Sequence, residues 1–473
     1  MHVLNHPNIL WICTDQQRLD TIGALGNPHA RTPNLDRLCA TGTVFRNAYC
    51  QSPVCTPSRS SFLTGRYPGA IGAGRNNNDR WPERADLLPR LLRDQAGYDC
   101  GLVGKLHLAG AYQREAQDSR VHGVRVFEPE VRPADDGYRV FQWSHSPFDD
   151  WGRHHAYGNW IRDRGFDLGE LRRCGRPIPA ECHQTTFCAD TVIDFVTGQL
   201  HSPWLVSMNP FDPHPPFDPP SDYLARFDPA AMPGPAFRSS DLDAQARLAD
   251  VDFQTSAMPP DPATDGRRKA AYHAMIELID ENVGRVIKAL EDSGQRERTL
   301  IIFMSDHGDM LGDHGLWGKG CRFYDGLVRV PLVVSWSGRM QEGVVSDALV
   351  ELTDLVPTLM DAAGLDVPDG LPGRSLVPLL TSTASTNSHR EFVRCDYHGA
   401  LNLGREPHRS HGTMIRTEGW KLVRYHGTGL GELFNLEQDP AEFDNRWNDV
   451  ACADLRRYMV GLAPDASGEA QGC

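Results

Sequence analysis

No run of apolar residues in this 473-residue chain approaches the roughly 20 that a helix needs to cross a bilayer, so no membrane partner is expected. The N-terminal stretch MHVLNHPNILWICTD lacks a basic leader and a small-residue cleavage site, and its short apolar run reads as a first strand; a cytoplasmic location is expected. There is no CxxC, and the twelve cysteines show no paired framework, which leaves them as reduced, half-buried thiols. Positive charge is scarce: the net charge of -14 argues against nucleic acid or an anionic membrane surface as the main partner. It leaves an anionic small molecule open, because local charge can oppose the net field. Internal repeats are absent too. A hydrophobic fraction of 40% allows a large packed core.

Five short, continuously apolar runs are present: Asn8–Cys13, Cys100–Gly104, Trp204–Asn209, Thr299–Met304 and Pro331–Trp336. Continuous rather than alternating hydrophobicity fits strands covered on both faces, as in a parallel sheet. Helical signals lie between them. Thr32-Pro33 opens one helix and Gly42 stops it; Arg267–Ser293 carries Met275, Ile279, Val283, Val286 and Leu290 on one face. The pattern is α/β, with a mostly parallel central sheet flanked by helices. In such folds ligands bind beyond the carboxyl ends of the strands, and here four ends carry Asp15, Lys105 and His107, His214, and Asp306 and His307. A catalytic domain is expected over 1–380, interrupted by a Trp-, His- and Arg-rich insertion at about 110–180 that reads as a cover over the site rather than sheet. After a polar linker, residues 388–473 read as a small C-terminal α+β subdomain with an antiparallel sheet.

Asp15 and Asp306 each follow a buried strand in a Thr/Ser-Asp pair. With Gln16 and His307 beside them they make an oxygen-rich pocket for a divalent cation; each Asp alone would read as a turn cap. Cys55 sits between prolines at the start of a helix, with Arg59 four residues on. It is either a small buried hydrophobe or a nucleophile beside an anion site. Lys105 and His107 alternate along a strand end and so point to one side. With His214 in DPHPP and Lys319 in LWGKG they describe a cationic pocket around a metal, suited to a tetrahedral oxyanion ester. Asn76, in GRNNNDR, is a candidate substrate contact or a polar loop tip.

Cys55-Thr56-Pro57-Ser58-Arg59, followed by Leu63-Thr64-Gly65-Arg66, resembles the type I sulfatase signature C-x-P-S-R-x-x-x-L-T-G-R. PNILWICTDQQR, GLVGKLH, DPHPPF, SDHGDMLGDHGLWGK and the C-terminal RTEGWKLVRY…ELFNLEQDPAEFDN extend the likeness along nearly the whole chain. The resemblance implies an alkaline-phosphatase-like fold. It also implies that a formylglycine-generating enzyme oxidises Cys55 to Cα-formylglycine, whose hydrate is a gem-diol: one hydroxyl attacks sulfur, the other later collapses to expel sulfate. It assigns Asp15, Gln16, Asp306, His307 and residue 55 to one divalent ion, calcium or manganese, with magnesium a further candidate. Arg59 would orient the hydroxyls, Lys105 and Lys319 bind ester oxygens, His214 assist the leaving group and His107 the collapse.

Two positions depart from the pattern. Many sulfatases carry Asp-Asp where this chain has Asp15-Gln16, and Asp-Asn where it has Asp306-His307. The Asp-His pair is similar to the phosphonate monoester hydrolase and phosphodiesterase branch, which usually lacks Lys-x-His. The expected activity is hydrolysis of aryl or carbohydrate sulfate monoesters. The alternatives are phosphonate monoester or phosphodiester hydrolysis at the same site, and a non-catalytic metal- or anion-binding homologue. The sequence leaves room for a homo-oligomer.

Overall fold

The computed structural model describes residues 6–76, 86–108, 120–121, 124–125, 135–147, 155–173, 177–198, 203–251, 254–382, 388–401 and 411–462. Its strands, in chain order, are β1 (Asn8–Thr14), β2 (Thr43–Tyr49), β3 (Asp99–Gly104), β4 (Arg120–Val121), β5 (Val124–Arg125), β6 (Val140–Trp143), β7 (Trp204–Asn209), β8 (Thr299–Ser305), β9 (Leu332–Ser335) and β10 (Val344–Glu351). All but the β4–β5 pair join one eight-stranded sheet in the order β10-β2-β9-β8-β1-β7-β3-β6. Every pairing in it is parallel except those of β9, which runs antiparallel between β2 and β8.

The apolar runs became the centre of the sheet because helices cover both faces. Every residue of β1, β7 and β8 is buried. The 31-residue helix Pro262–Asp292 feeds into β8 as a crossover helix; Ile279, Val283, Val286 and Leu290 join the core on that face. Its opposite sides are buried as well, against Tyr223 and Phe227 and against Leu311, so the one-faced reading understated its burial.

The insertion departs from its reading. Val140–Trp143 is the edge strand β6, paired in parallel with β3, so part of this segment extends the sheet. Helices Ala156–Asp163 and Leu168–Arg173 follow. Much of the remainder, including 109–119 and 126–134, lies outside the described residues. β2 and β10 escaped the sequence because charged and polar residues interrupt their apolar pattern.

After the catalytic sheet come β11 (Val393–His398), β12 (His411–Arg416), β13 (Trp420–Tyr425) and β14 (Gly431–Asn435), an antiparallel meander as expected. It packs onto the main body: the Asp396 N–H donates to the Gln51 carbonyl, and Lys421, fully buried, pairs with Asp325 and Glu442.

Candidate active site

Strand register places the first two carboxylates. Thr14 of β1 lies beside Ser305 of β8 in parallel pairing, so Asp15 and Asp306 emerge side by side. The Asp306 N–H donates to the Thr14 carbonyl, and the Gln16 N–H to Asp306 Oδ1 at 3.0 Å. Gly104 and Asn209 are likewise paired between β3 and β7, which brings Lys105, His107 and the loop carrying His214 to the same end. The four strand ends expected to converge do converge.

Local backbone departs from one expectation. β3 stops at Gly104, so Lys105 and His107 do not alternate along a strand; they reach the site from a loop in which His107 takes φ 56°. Gly104 is required there: its φ is 102°, and a Cβ would stand 2.0 Å from the Asn209 carbonyl oxygen.

Cys55 is the first residue of α2 (Cys55–Thr64) and is buried, as is every residue of that helix. Its Sγ lies 3.2 Å from His307 Nε2, 3.7 Å from Asp15 Oδ1 and 2.8 Å from Lys319 Nζ. One turn on, Arg59 spans the carboxylates: Nε donates to Asp306 Oδ2 at 2.8 Å, Nη2 pairs with Asp15 Oδ2 at 3.4 Å, and Nη1 donates to the Lys105 carbonyl. Lys105 Nζ pairs with Asp15 Oδ2. Ser58 Oγ ties the helix to the Asp306 carbonyl. Asn76 Oδ1 accepts the Thr56 N–H at 2.9 Å, capping α2 in the absence of a cap from Val54.

Charge is concentrated here. Burial alone would raise the Cys55 pKa, yet Lys105, Lys319 and His307 pull it well below its ordinary value. Burial and Cys55 oppose ionisation of Asp15, and Lys105, His214 and Arg59 override them to hold its carboxyl low. Burial disfavours charge on His307, but Asp306 lifts its pKa to about 9. Burial and Lys105 push His107 down to about 4; burial and Lys319 lower His214.

The donor set fits a divalent cation. Ligand atoms of Asp15, Cys55, Asp306 and His307 lie within 4.8 Å of one another. His307 Nδ1 is 2.9 Å from the Gly308 carbonyl, to which it donates, so Nε2 is the ring nitrogen that faces inward and, once deprotonated, can ligate. The Lys319 ammonium stands among the acceptors, 2.9 Å from Gln16 Oε1 and 3.5 Å from His307 Nε2. An imidazole beside two carboxylates and a carboxamide oxygen makes the set less suited to calcium and more tolerant of manganese than an all-oxygen set.

Some neighbours were not singled out from sequence. Asp309 accepts from Gln16 Nε2 and from the N–H groups of Leu311 and Gly318, holding the motif that carries Lys319. Its signal was an acid three residues past Asp306. His145 meets the His107 ring edge-on at 4.8 Å, and Phe211 lies 4.5 Å from the His214 ring and 5.3 Å from Lys105 Nζ. Among the described residues His145 is one that the insertion brings to the site, and nothing in its spacing marked it.

Residues 7–365 match the family model described as Sulfatase, and 312–462 match that of the N-sulphoglucosamine sulphohydrolase C-terminal region. The chain is 31% identical to an arylsulfatase of Clostridium perfringens over 96% of its own length and 92% of the relative's. It is 30% identical to the multifunctional alkaline phosphatase superfamily protein PehA of Trinickia caryophylli, covering 96% and 94%. Among solved structures, the phosphonate monoester hydrolase of Agrobacterium radiobacter aligns with a TM-score of 0.80 at 27% identity, covering 96% and 94%.

Proposed function

The chain belongs to the sulfatase family and is a sulfuric ester hydrolase, and from that premise we propose that it cleaves sulfate monoesters with a formylglycine formed from Cys55 by a separate modifying enzyme. The observation that carries this reading is the position of Cys55 Sγ, in contact with His307, Lys319 and Asp15 at the buried start of α2. When bound, a divalent ion at Asp15, Gln16, Asp306 and His307 supplies Lewis acidity to the residue-55 oxygen and to a sulfate oxygen. Arg59, locked by three polar partners, holds Asp15 and Asp306 in place. Lys105 and Lys319 present fixed ammonium groups to the nonbridging oxygens, whose charge changes as the ester bond breaks. His214 Nδ1 donates to the Pro215 carbonyl at 2.6 Å, which directs Nε2 to the site; in its protonated, imidazolium form the ring would hand the Nε2 proton to the departing alcohol oxygen. His107, kept neutral by burial and by Lys105, is placed to accept a proton from residue 55.

A second reading rests on a specific observation. The imidazole at His307 pairs with the likeness to a phosphonate monoester hydrolase, so hydrolysis of phosphonate monoesters or phosphodiesters at this site is the alternative. Parallel assays on an aryl sulfate, a phenyl phosphonate monoester and an aryl phosphodiester decide between them. The expected result is the highest kcat/KM for the sulfate; a preference for either phosphorus ester overturns the first reading. Peptide mass analysis of residue 55, in protein made alongside the modifying enzyme, checks the nucleophile. An unmodified thiol in fully active protein would refute the formylglycine.

A further inference from the structure

A second cluster of metal-ligating side chains lies on the C-terminal sheet and shares no residue with the site above. Antiparallel register creates it. His398 of β11 stands directly opposite His411 of β12, and Asp396 opposite Thr413. Residues two apart on a strand share a face, so all four side chains project to one side of the sheet. The His398 and His411 rings stack at 4.2 Å, and His426 stacks on His411 at 4.1 Å. One ligand atom each from Asp396, His398 and His411 lies within 4.8 Å of the others. Asp396 is buried; Arg394 Nε fixes its Oδ2 at 2.8 Å, the Thr413 hydroxyl donates to its Oδ1 at 2.8 Å, and His411 Nε2 is 3.9 Å from Oδ1. His398 Nε2 is buried without a hydrogen bond.

We propose that Asp396, His398 and His411 form a second metal centre that takes a divalent first-row transition ion such as zinc. Two imidazoles and one carboxylate are a ligand set for such ions, and an ion about 2.0–2.2 Å from each would need the ligand atoms about 3.4 Å apart, a contraction of about half an ångström between His411 Nε2 and Asp396 Oδ1 and of at most about 1.4 Å for any pair in the cluster. The outer partners needed to aim the ligands, Arg394 and Thr413, are already bonded to Asp396.

The centre would act as a clamp. His398 packs on the segment of Gly69 and Gly74, where a Cβ at either position would fall 3.1–3.5 Å from it. That segment ends in Asn76, which caps the Cys55 helix and donates its N–H to the Ala400 carbonyl. Asp396 in turn donates its N–H to Gln51, four residues before Cys55. A bound ion therefore ties the C-terminal sheet to both segments that flank the nucleophile's helix.

The test is metal stoichiometry on the full chain. Protein stripped with chelator is titrated with zinc and with cobalt(II), and bound ions are counted by mass spectrometry while cobalt d–d absorption reports imidazole–carboxylate coordination. The expected result is loss of one ion per chain in both H398A and H411A relative to wild type, with affinity at that site down by at least about 100-fold, more than an outer-sphere loss costs. Asp306→Asn, which damages only the Asp15 centre, should keep the ion and cobalt spectrum that H398A and H411A lose, so failure of the first site is not confused with failure of the second. Wild type whose ion count equals that of both histidine variants overturns the proposal, and this comparison needs no activity. Zinc should raise the melting temperature of Asp306→Asn protein, whose first centre is damaged, and should not raise that of the double variant Asp306→Asn, His411→Ala; equal shifts in the two would refute the clamp.

Discussion

Replacing Arg59 with Met tests the charge balance of the site most directly. The guanidinium is fully buried and bridges two fully buried carboxylates, Asp306 through a 2.8 Å bond and Asp15 at 3.4 Å. Methionine keeps most of the volume and removes the charge. Lys105 still faces Asp15, but Asp306 loses its ion pair. Removing one partner of a buried pair costs about 3–5 kcal/mol, because the remaining ion stays desolvated. At about 2.1 cal/mol/K per residue, the unfolding entropy of a chain this long is about 1 kcal/mol/K, so R59M should melt about 3–5 °C below wild type in chelator. A divalent cation should shrink that gap, since it neutralises the same carboxylates and binds only the folded state. Differential scanning calorimetry with and without manganese measures both. If R59M melts within 1 °C of wild type in chelator, or the gap is unchanged by manganese, the account of Arg59 as the counter-ion of a cation site is wrong.

Three further predictions concern the scaffold. Gly104→Ala forces a Cβ into the Asn209 carbonyl at φ 102°, so it should lower the melting temperature and cut kcat/KM for an aryl sulfate by at least about tenfold, through displacement of Lys105 and His107; unchanged values for both would refute the placement. Asn76→Ala removes the cap on Thr56 and should cost about 1 kcal/mol in urea unfolding; no change in the midpoint would mean the cap contributes nothing. Asp280, which accepts the N–H groups of Asn34 and Leu35 at the start of α1 (Pro33–Ala40), is raised to about 6, chiefly by burial. A carboxyl with a folded pKa above its unfolded 3.8 binds its proton more tightly when folded, so its contribution is full below pH 4 and is lost as pH rises through 6. Wild type should therefore lose about 2 kcal/mol relative to Asp280→Asn between pH 4 and 7; a difference that stays flat with pH would contradict this.

Much of the site was legible because the chemistry sits where a buried strand ends. Thr14-Asp15 and Ser305-Asp306 follow fully apolar runs, and parallel pairing of β1 with β8 does the rest. Cys55 was readable from its motif and its helix start. Strands β2, β6 and β10 were not, since edge positions and mixed burial blur the apolar signal. Loop conformation was also hidden: no periodicity announces that His107 reaches the site through a positive φ. Nor does any pattern within β11 or β12 show that His398 and His411 will meet, because their pairing depends on tertiary register.

The mixture of markers at the strand ends has a physical basis. The three cations Arg59, Lys105 and Lys319 exceed the two carboxylates Asp15 and Asp306 by one, so an anion of single negative charge balances these side chains. Sulfate monoesters, phosphonate monoesters and phosphodiesters all carry that charge, and net electrostatics cannot tell them apart. What differs is the third substituent on the central atom: an oxygen in the sulfate, a carbon or an ester oxygen bearing a chain in the others. Under the proposed function Lys105 and His107, both buried and packed against Phe211 and His145, would set polar groups beside that third substituent. A nonbridging oxygen gains a hydrogen bond there, whereas an alkyl or aryl group would desolvate an ammonium without compensation. Replacing Lys105 by Ala should therefore weaken sulfate hydrolysis far more than phosphonate hydrolysis. Equal loss on both substrates would mean that Lys105 serves Asp15 alone and takes no part in the choice of ester.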